Sequence, residues 1–183
     1  MDCQEDLNLC FIDYAKAFDR VNHEKLMEVL AKAEIQSHET IERRLVCEIY
    51  WNQWAKVKLT SGTTEDIMIQ RGVRQGYILS PSLFNLYSEY LLQKAISKKS
   101  GILINGVNIN NFRYADDTVI LAGSEEKLQA ILDRIVDKCK EYGMEINAKK
   151  TKTMHIGKNT KTLTITVGNQ CSSRSRNIHA LDT

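Results

Sequence analysis

This chain of 183 residues has a single proline, Pro81, so almost no break in regular structure is forced by a missing backbone donor. Its five cysteines, Cys3, Cys10, Cys47, Cys139 and Cys171, are odd in number and widely spaced, with no C-x-x-C. Neither a disulfide framework nor a zinc site is implied, and a reducing, intracellular compartment is expected. No apolar run reaches membrane-spanning length, so no membrane partner is expected. Met1 to Asp6 is acidic and polar, which is wrong for a secretory signal or transit peptide. There is no internal repeat. The net charge is small too, at +2, so a polyanion partner cannot be argued from the total. Its distribution is uneven: residues 1–139 carry −3 and residues 140–183 carry +5. The basic end can hold a phosphate backbone, or it can be a solvated tail.

What is present is a globular composition, 43% apolar and 26% charged, enough for a core. Leu7 to Ile12 reads as a buried strand ending at Asp13. Asn22 caps a helix running to about Ala33, and Ser37 caps a second through Ile41, Leu45 and Ile49. Ala55–Thr60 and Asp66–Gln70 read as a hairpin joined by Ser61-Gly62-Thr63-Thr64. Ser80-Pro81 starts a helix expected to reach Lys98. Phe112–Ala122 reads as two strands meeting at a turn, and a helix starting at Ser124 ends at Gly143. Met144–Asn147, Thr151–Ile156 and Leu163–Val167 are short strand candidates. Long helices alternating with hairpins imply α+β: an antiparallel sheet with helices packed on one face.

Four segments carry chemistry. In Tyr114-Ala115-Asp116-Asp117 two adjacent carboxylates sit between apolar stretches. Aspartate is a poor strand residue, and paired anions repel. Either both lie in water at a plain turn, or a divalent cation compensates them. Asp13 ends another apolar strand about a hundred residues earlier. If the two strands are neighbours, three carboxylates form a hard oxygen site suited to Mg²⁺. Two such ions clamp both oxygens of an in-line phosphoryl displacement. Arg71-Gly72-Val73-Arg74-Gln75-Gly76-Tyr77 combines two glycines with basic side chains just before a helix start. It can hold a phosphate or be a surface turn, and it is not a P-loop. Gly143 to Lys152 places Lys149, Lys150 and Lys152 after a helix end. Either this is a solvated basic strand, or one ammonium faces a triphosphate.

Taken in order, these segments resemble the reverse transcriptases of non-LTR retrotransposons. Tyr114-Ala115-Asp116-Asp117 resembles their Y-x-D-D turn. Phe11 to Asp19 resembles the F-x-D-x-x-K-A-F-D motif, and Arg71 to Asn85 the G-x-x-Q-G…S-P-x-L-F-N motif. Gly143 to Lys152 resembles the lysine-bearing motif. Tyr77 and Ile78 depart from the Cys and Pro usual after Q-G.

The resemblance implies a polymerase palm, an RNA template, a DNA primer, dNTPs and two Mg²⁺ ions. Asp13 and Asp116 would be the main ligands, Asp117 would complete the cluster, and the Tyr14 carbonyl would add one ligand. Phe18 would stack under the incoming sugar and exclude a 2′-hydroxyl. Gln75 and Gly76 would lie along the nucleotide and template, and Lys150 would protonate the leaving pyrophosphate. Leu163–Val167 would belong to a hairpin gripping the primer end. Residues 1–168 are expected to be the palm, with fingers and thumb missing or incomplete, and residues 169–183 an unrelated disordered tail. The alternative to an active enzyme is an inactive, truncated retrotransposon remnant with at most weak RNA binding.

Overall fold

Alternation of buried and exposed residues organises the longest strands of the chain. The computed structural model describes residues 6–32, 41–50, 53–98, 100–157, 161–168, 170–171, 173–174 and 178–179. In chain order the elements begin with β1 (Leu7–Ile12), a 3-10 turn (Phe18–Arg20), α1 (His23–Lys32) and α2 (Ile41–Tyr50). Next come β2 (Gln53–Ala55), β3 (Lys58–Leu59), β4 (Gly62–Thr63), β5 (Ile67–Ile69) and α3 (Ser80–Ala95). Then follow β6 (Ile102–Ile104), β7 (Val107–Ile109), β8 (Asn111–Tyr114), β9 (Asp117–Ala122) and α4 (Glu125–Glu141). The last are β10 (Lys152–Gly157), β11 (Thr166–Val167), β12 (Gln170–Cys171), β13 (Ser173–Arg174) and β14 (Ile178–His179). The chain divides into two units, Met1–Ala17 with Glu89–Thr183, and Phe18–Ser88.

The first unit is built on a sheet of order β13-β10-β1-β9-β8, with β14 also on β10. The ladders β10–β1, β1–β9 and β9–β8 are antiparallel, as expected for α+β. Asn8, Cys10 and Ile12 of β1 and Thr118, Ile120 and Ala122 of β9 are buried on one face. Helix α4 packs on both strands. Its buried residues Leu128, Ile131, Leu132, Ile135 and Cys139 recur at the helical period and form one stripe. Each buried aliphatic side chain there stabilises the fold by about 1.5–3 kcal/mol. The helix begins where the Ser124 hydroxyl accepts from the Lys127 amide. It ends at Gly143, at φ 70°, with the Met144 amide bonded to the Cys139 carbonyl and Gly143 to Lys140. That is a Schellman ending, and only a residue tolerant of positive φ completes it. Asn8 and His155 face each other across β1 and β10 and pair at 2.9 Å, a buried polar tie that fixes the register.

β6 and β7 form a hairpin that the reading above does not include. Its turn is Asn105-Gly106, both at positive φ, the strongest short hairpin signal a sequence carries. Met144–Asn147 is not a strand; Ile146 makes one isolated bridge to Tyr14. The segment after Gly168, expected to be disordered, contains three two-residue strands among its described residues. β12 pairs with β11, while β13 and β14 run parallel to β10 along its other edge. An edge strand presents unpaired amides and carbonyls, and these short pieces take them up.

In the second unit α1 packs against α2. Asn22 caps α1 through the Lys25 amide, as expected. Ala33 and Ser37 lie outside the described residues. The expected Ala55–Gln70 hairpin is present but broken in two. β2 pairs with β5, and β3 with β4, with the Val57 and Thr64 backbones joined between them. The Thr64 hydroxyl accepts the Val57 amide, displacing a regular ladder contact. α3 starts one residue early, at Ser80, whose hydroxyl donates to the Arg74 carbonyl at 2.6 Å instead of capping the helix. It ends at Ala95, three residues short of Lys98.

Candidate catalytic carboxylates

Asp13 stands one residue beyond the last paired position of β1. In the β1–β9 ladder Ile12 opposes Thr118, so the next antiparallel position brings Asp13 opposite Asp117. Directly opposed residues share a face, and Asp13 and Asp117 therefore lie on the face opposite α4. At this end of the sheet that face is open, with Phe11, Phe112 and Tyr114 exposed. Asp116 is the second residue of a two-residue loop closed by the Tyr114–Asp117 pair. Ala115, the first, sits at φ 52°, the handedness a tight hairpin requires. Two stretches about a hundred residues apart thus deliver their carboxylates to one sheet end because β1 and β9 are neighbours.

The side chains are not drawn into a ready-made cage. Among the described residues no three Asp, Glu, His or Cys side chains form a group able to hold a metal ion. Like charges spread when nothing neutralises them. The donor set itself, carboxylates with a backbone carbonyl, is chemically right for a hard divalent cation.

Residues absent from the expected site fix the backbone of Asp13. The Asn147 amide donates to its carbonyl at 2.8 Å, and its own amide donates to the buried Thr151 hydroxyl at 3.5 Å. No spacing pattern in the sequence marks Asn147 or Thr151; only the return of the chain after α4 does. The Ala15 amide bonds the Glu145 carbonyl, completing a bridge that uses the carbonyl of Asp13 and not that of Tyr14. Carbonyls alternate along an extended chain, so the Tyr14 carbonyl turns to the β9 side, where Asp117 stands. The Lys150 ammonium lies 3.8 Å from Asp13 Oδ2 with its side chain 70% exposed. Lys149 and Lys152 are exposed as well.

Phe18, Gln75 and Gly76 belong to the other unit. The Phe18 ring stacks on the buried Phe84 at 4.8 Å, and its carbonyl accepts the Val73 amide at 2.8 Å. Gln75 donates to Asp19 at 3.5 Å. Gly72, at φ 96°, lets this segment approach closely: a Cβ there would meet the Asp19 carbonyl oxygen at 3.2 Å. Gly76, at φ 85°, has open space around it. Arg74 is folded over the Tyr77 ring and donates to its hydroxyl, so part of the expected phosphate-binding charge is tied locally.

The order of these motifs and the sheet that carries them define a polymerase palm-like α+β domain with its acidic residues at one sheet end. The chain belongs to the reverse transcriptase (RNA-dependent DNA polymerase) family, whose model matches residues 3–179. That match reaches past Gly168 into the segment expected to be unrelated. It is 32% identical over 172 residues to a Retrovirus-related Pol polyprotein from the type-1 retrotransposable element R2 of Nasonia vitripennis, covering 90% of this chain and 16% of that protein. It is 30% identical over 150 residues to the corresponding polyprotein of element R2DM of Drosophila melanogaster, covering 80% of this chain and 14% of that one. The chain thus spans about a sixth of the length of these non-LTR relatives. Among solved structures, apo telomerase from Candida tropicalis superposes with a TM-score of 0.60 at 20% identity, over 88% of this chain and 33% of that one. This last likeness is one of fold. Members of the family generally use divalent metal ions. Among the described residues no helix is long and apolar enough to cross a membrane.

Proposed function

We propose that this chain is the catalytic palm of an RNA-directed DNA polymerase that extends a DNA primer on an RNA template. The observation that carries the reading is the register that sets Asp13 opposite Asp117, beside the Asp116 turn. In the reaction the primer 3′-hydroxyl loses its proton to water, and its oxygen bonds to the α-phosphorus of a dNTP. The bond from that phosphorus to the bridging oxygen breaks, and pyrophosphate leaves. Asp13, Asp116 and Asp117, with the Tyr14 carbonyl, are the groups that would hold two Mg²⁺ ions. Bound there, such ions supply charge neutralisation for the attacking and leaving oxygens. Lys150, beside Asp13, gives a proton to the departing pyrophosphate. Phe18, held by Phe84, is the sugar gate, and Gln75 and Gly76 line the nucleotide and template. Cys10 and Cys139 take no part: burial pushes both up to about 12, which leaves them protonated at neutral pH.

Primer extension by the purified chain tests this, with an RNA template, a DNA primer, four dNTPs and Mg²⁺. Incorporation that Asp116→Ala abolishes is the expected result. Incorporation that survives Asp116→Ala refutes the site, and none from either protein favours the inactive remnant.

A further inference from the structure

Each candidate ligand has a polar neighbour on the opposite face of the sheet. Tyr14 follows Asp13, Thr118 follows Asp117, and Arg113 stands just before the turn that carries Asp116. Side chains alternate along a strand, so these three lie on the sheet face opposite the carboxylates, Tyr14 and Thr118 buried there and Arg113 at its exposed edge. The ladders put them side by side: Arg113 opposes Thr118, and Thr118 opposes Ile12, two residues from Tyr14. Thr118 is 2% exposed and Tyr14 6%. Tyr14 and Thr118 are therefore buried neighbours on this face, beside Arg113. Arg113 is ion-paired with Glu89 Oε2 on α3, and Glu89 Oε1 accepts from Gln93. Both Glu89 oxygens are therefore held. The rest of this face carries Cys10, Ile12, Ile120 and Ala122, with Thr153 and the Asn8–His155 pair as further buried polar groups. A polar group is costly where it is buried, and Tyr14 and Thr118 are buried directly behind the acids.

β8 is the edge of the sheet, paired on one side alone within it. Its turn is formed by Ala115 at positive φ without a glycine, so the hairpin tip needs another anchor. We propose that Arg113 and Glu89, beside the buried Thr118 and Tyr14, form a positioning relay that fixes the β8–β9 turn to α3 and so sets Asp116 and Asp117 relative to Asp13. The relay rests on the metal-binding reading above. Asp117 is also restrained by the β1–β9 ladder, whereas Asp116 depends on β8, and β8 on the Arg113–Glu89 tie. Loss of the tie lets the edge strand twist and moves Asp116 with it. Partners that orient metal ligands from behind typically contribute tenfold to a hundredfold in affinity.

The test measures Mn²⁺ affinity of the purified full chain by the electron paramagnetic resonance of free Mn²⁺, with amide hydrogen exchange of Tyr114–Asp117 in metal-free protein. Glu89→Gln and Arg113→Met are each expected to weaken Mn²⁺ binding at least tenfold and to speed exchange at the turn. The double variant should be no worse than either single one, and Arg113→Lys should recover most of the affinity. Ile135→Val, a mild core change away from the relay, should leave the affinity unchanged. Should Arg113→Met fail to fold, the isosteric Glu89→Gln decides alone. Affinities within twofold of wild type for the relay variants, while Asp117→Asn loses binding, overturn the relay and spare the metal site. Binding by Asp117→Asn as tight as wild type overturns the metal site, and the relay with it.

Discussion

Replacing Asp117 by asparagine should strengthen the metal-free fold while weakening its response to metal. Asp13 and Asp117 stand opposite each other on adjacent strands. At such positions backbones are about 4.5–5.5 Å apart, and like charges directly opposed cost roughly 0.2–1 kcal/mol. Lys150, 3.8 Å from Asp13 and largely exposed, offsets only part of this. Asp117→Asn keeps shape and removes one charge, so in low salt without metal the fold should gain up to about 1 kcal/mol. The gain should shrink as salt is added, because the site is exposed and screened. With a divalent ion at ten times its dissociation constant, the wild-type chain should gain about 1.4 kcal/mol, and the variant much less. Urea unfolding followed by circular dichroism, with and without Mn²⁺ at two salt concentrations, reads both quantities. A variant less stable than wild type without metal, or equally stabilised by Mn²⁺, would refute the convergence of the two strands on one ion.

Three further outcomes are expected. Gly72→Ala forces a side chain to φ 96° and against the Asp19 carbonyl, and should cost about 1–3 kcal/mol and loosen the Phe18 turn; a melting temperature equal to wild type would contradict the close approach. Phe18→Ala, assayed by primer extension with ribonucleotides, should admit a 2′-hydroxyl, and unchanged sugar discrimination would remove the gate from Phe18. Burial raises Cys10 and Cys139 from 9.0 to about 12. Stability from the two neutral thiols is complete below pH 9 and is lost as pH rises toward 12, by about 1.4 kcal/mol per pH unit for each. Cys10→Ala should flatten the alkaline fall of the urea midpoint, and an unchanged slope would show that the thiol is not sheltered.

The chain's own order of residues settles local matters here. Leu7–Ile12 is a strand because six mostly apolar residues end at a charge, and α4 is legible from Ser124, its apolar stripe and Gly143. The Asn105-Gly106 hairpin was equally legible and rests on two residues alone. The four motifs carry the family because residue types at fixed spacing survive without knowledge of the fold. Which strands are neighbours is different, because pairing between β1 and β9 is a contact across more than a hundred residues that no local preference encodes. Only the tertiary structure decided that Asp13 faces Asp117, that Asn147 and Thr151 return to hold its backbone, and that Arg113 reaches Glu89. It also decided that Arg74 is spent on Tyr77. Local propensity acts through neighbours in sequence, whereas a site is a matter of neighbours in space, and burial of the stripe on α4 is what converts the one into the other.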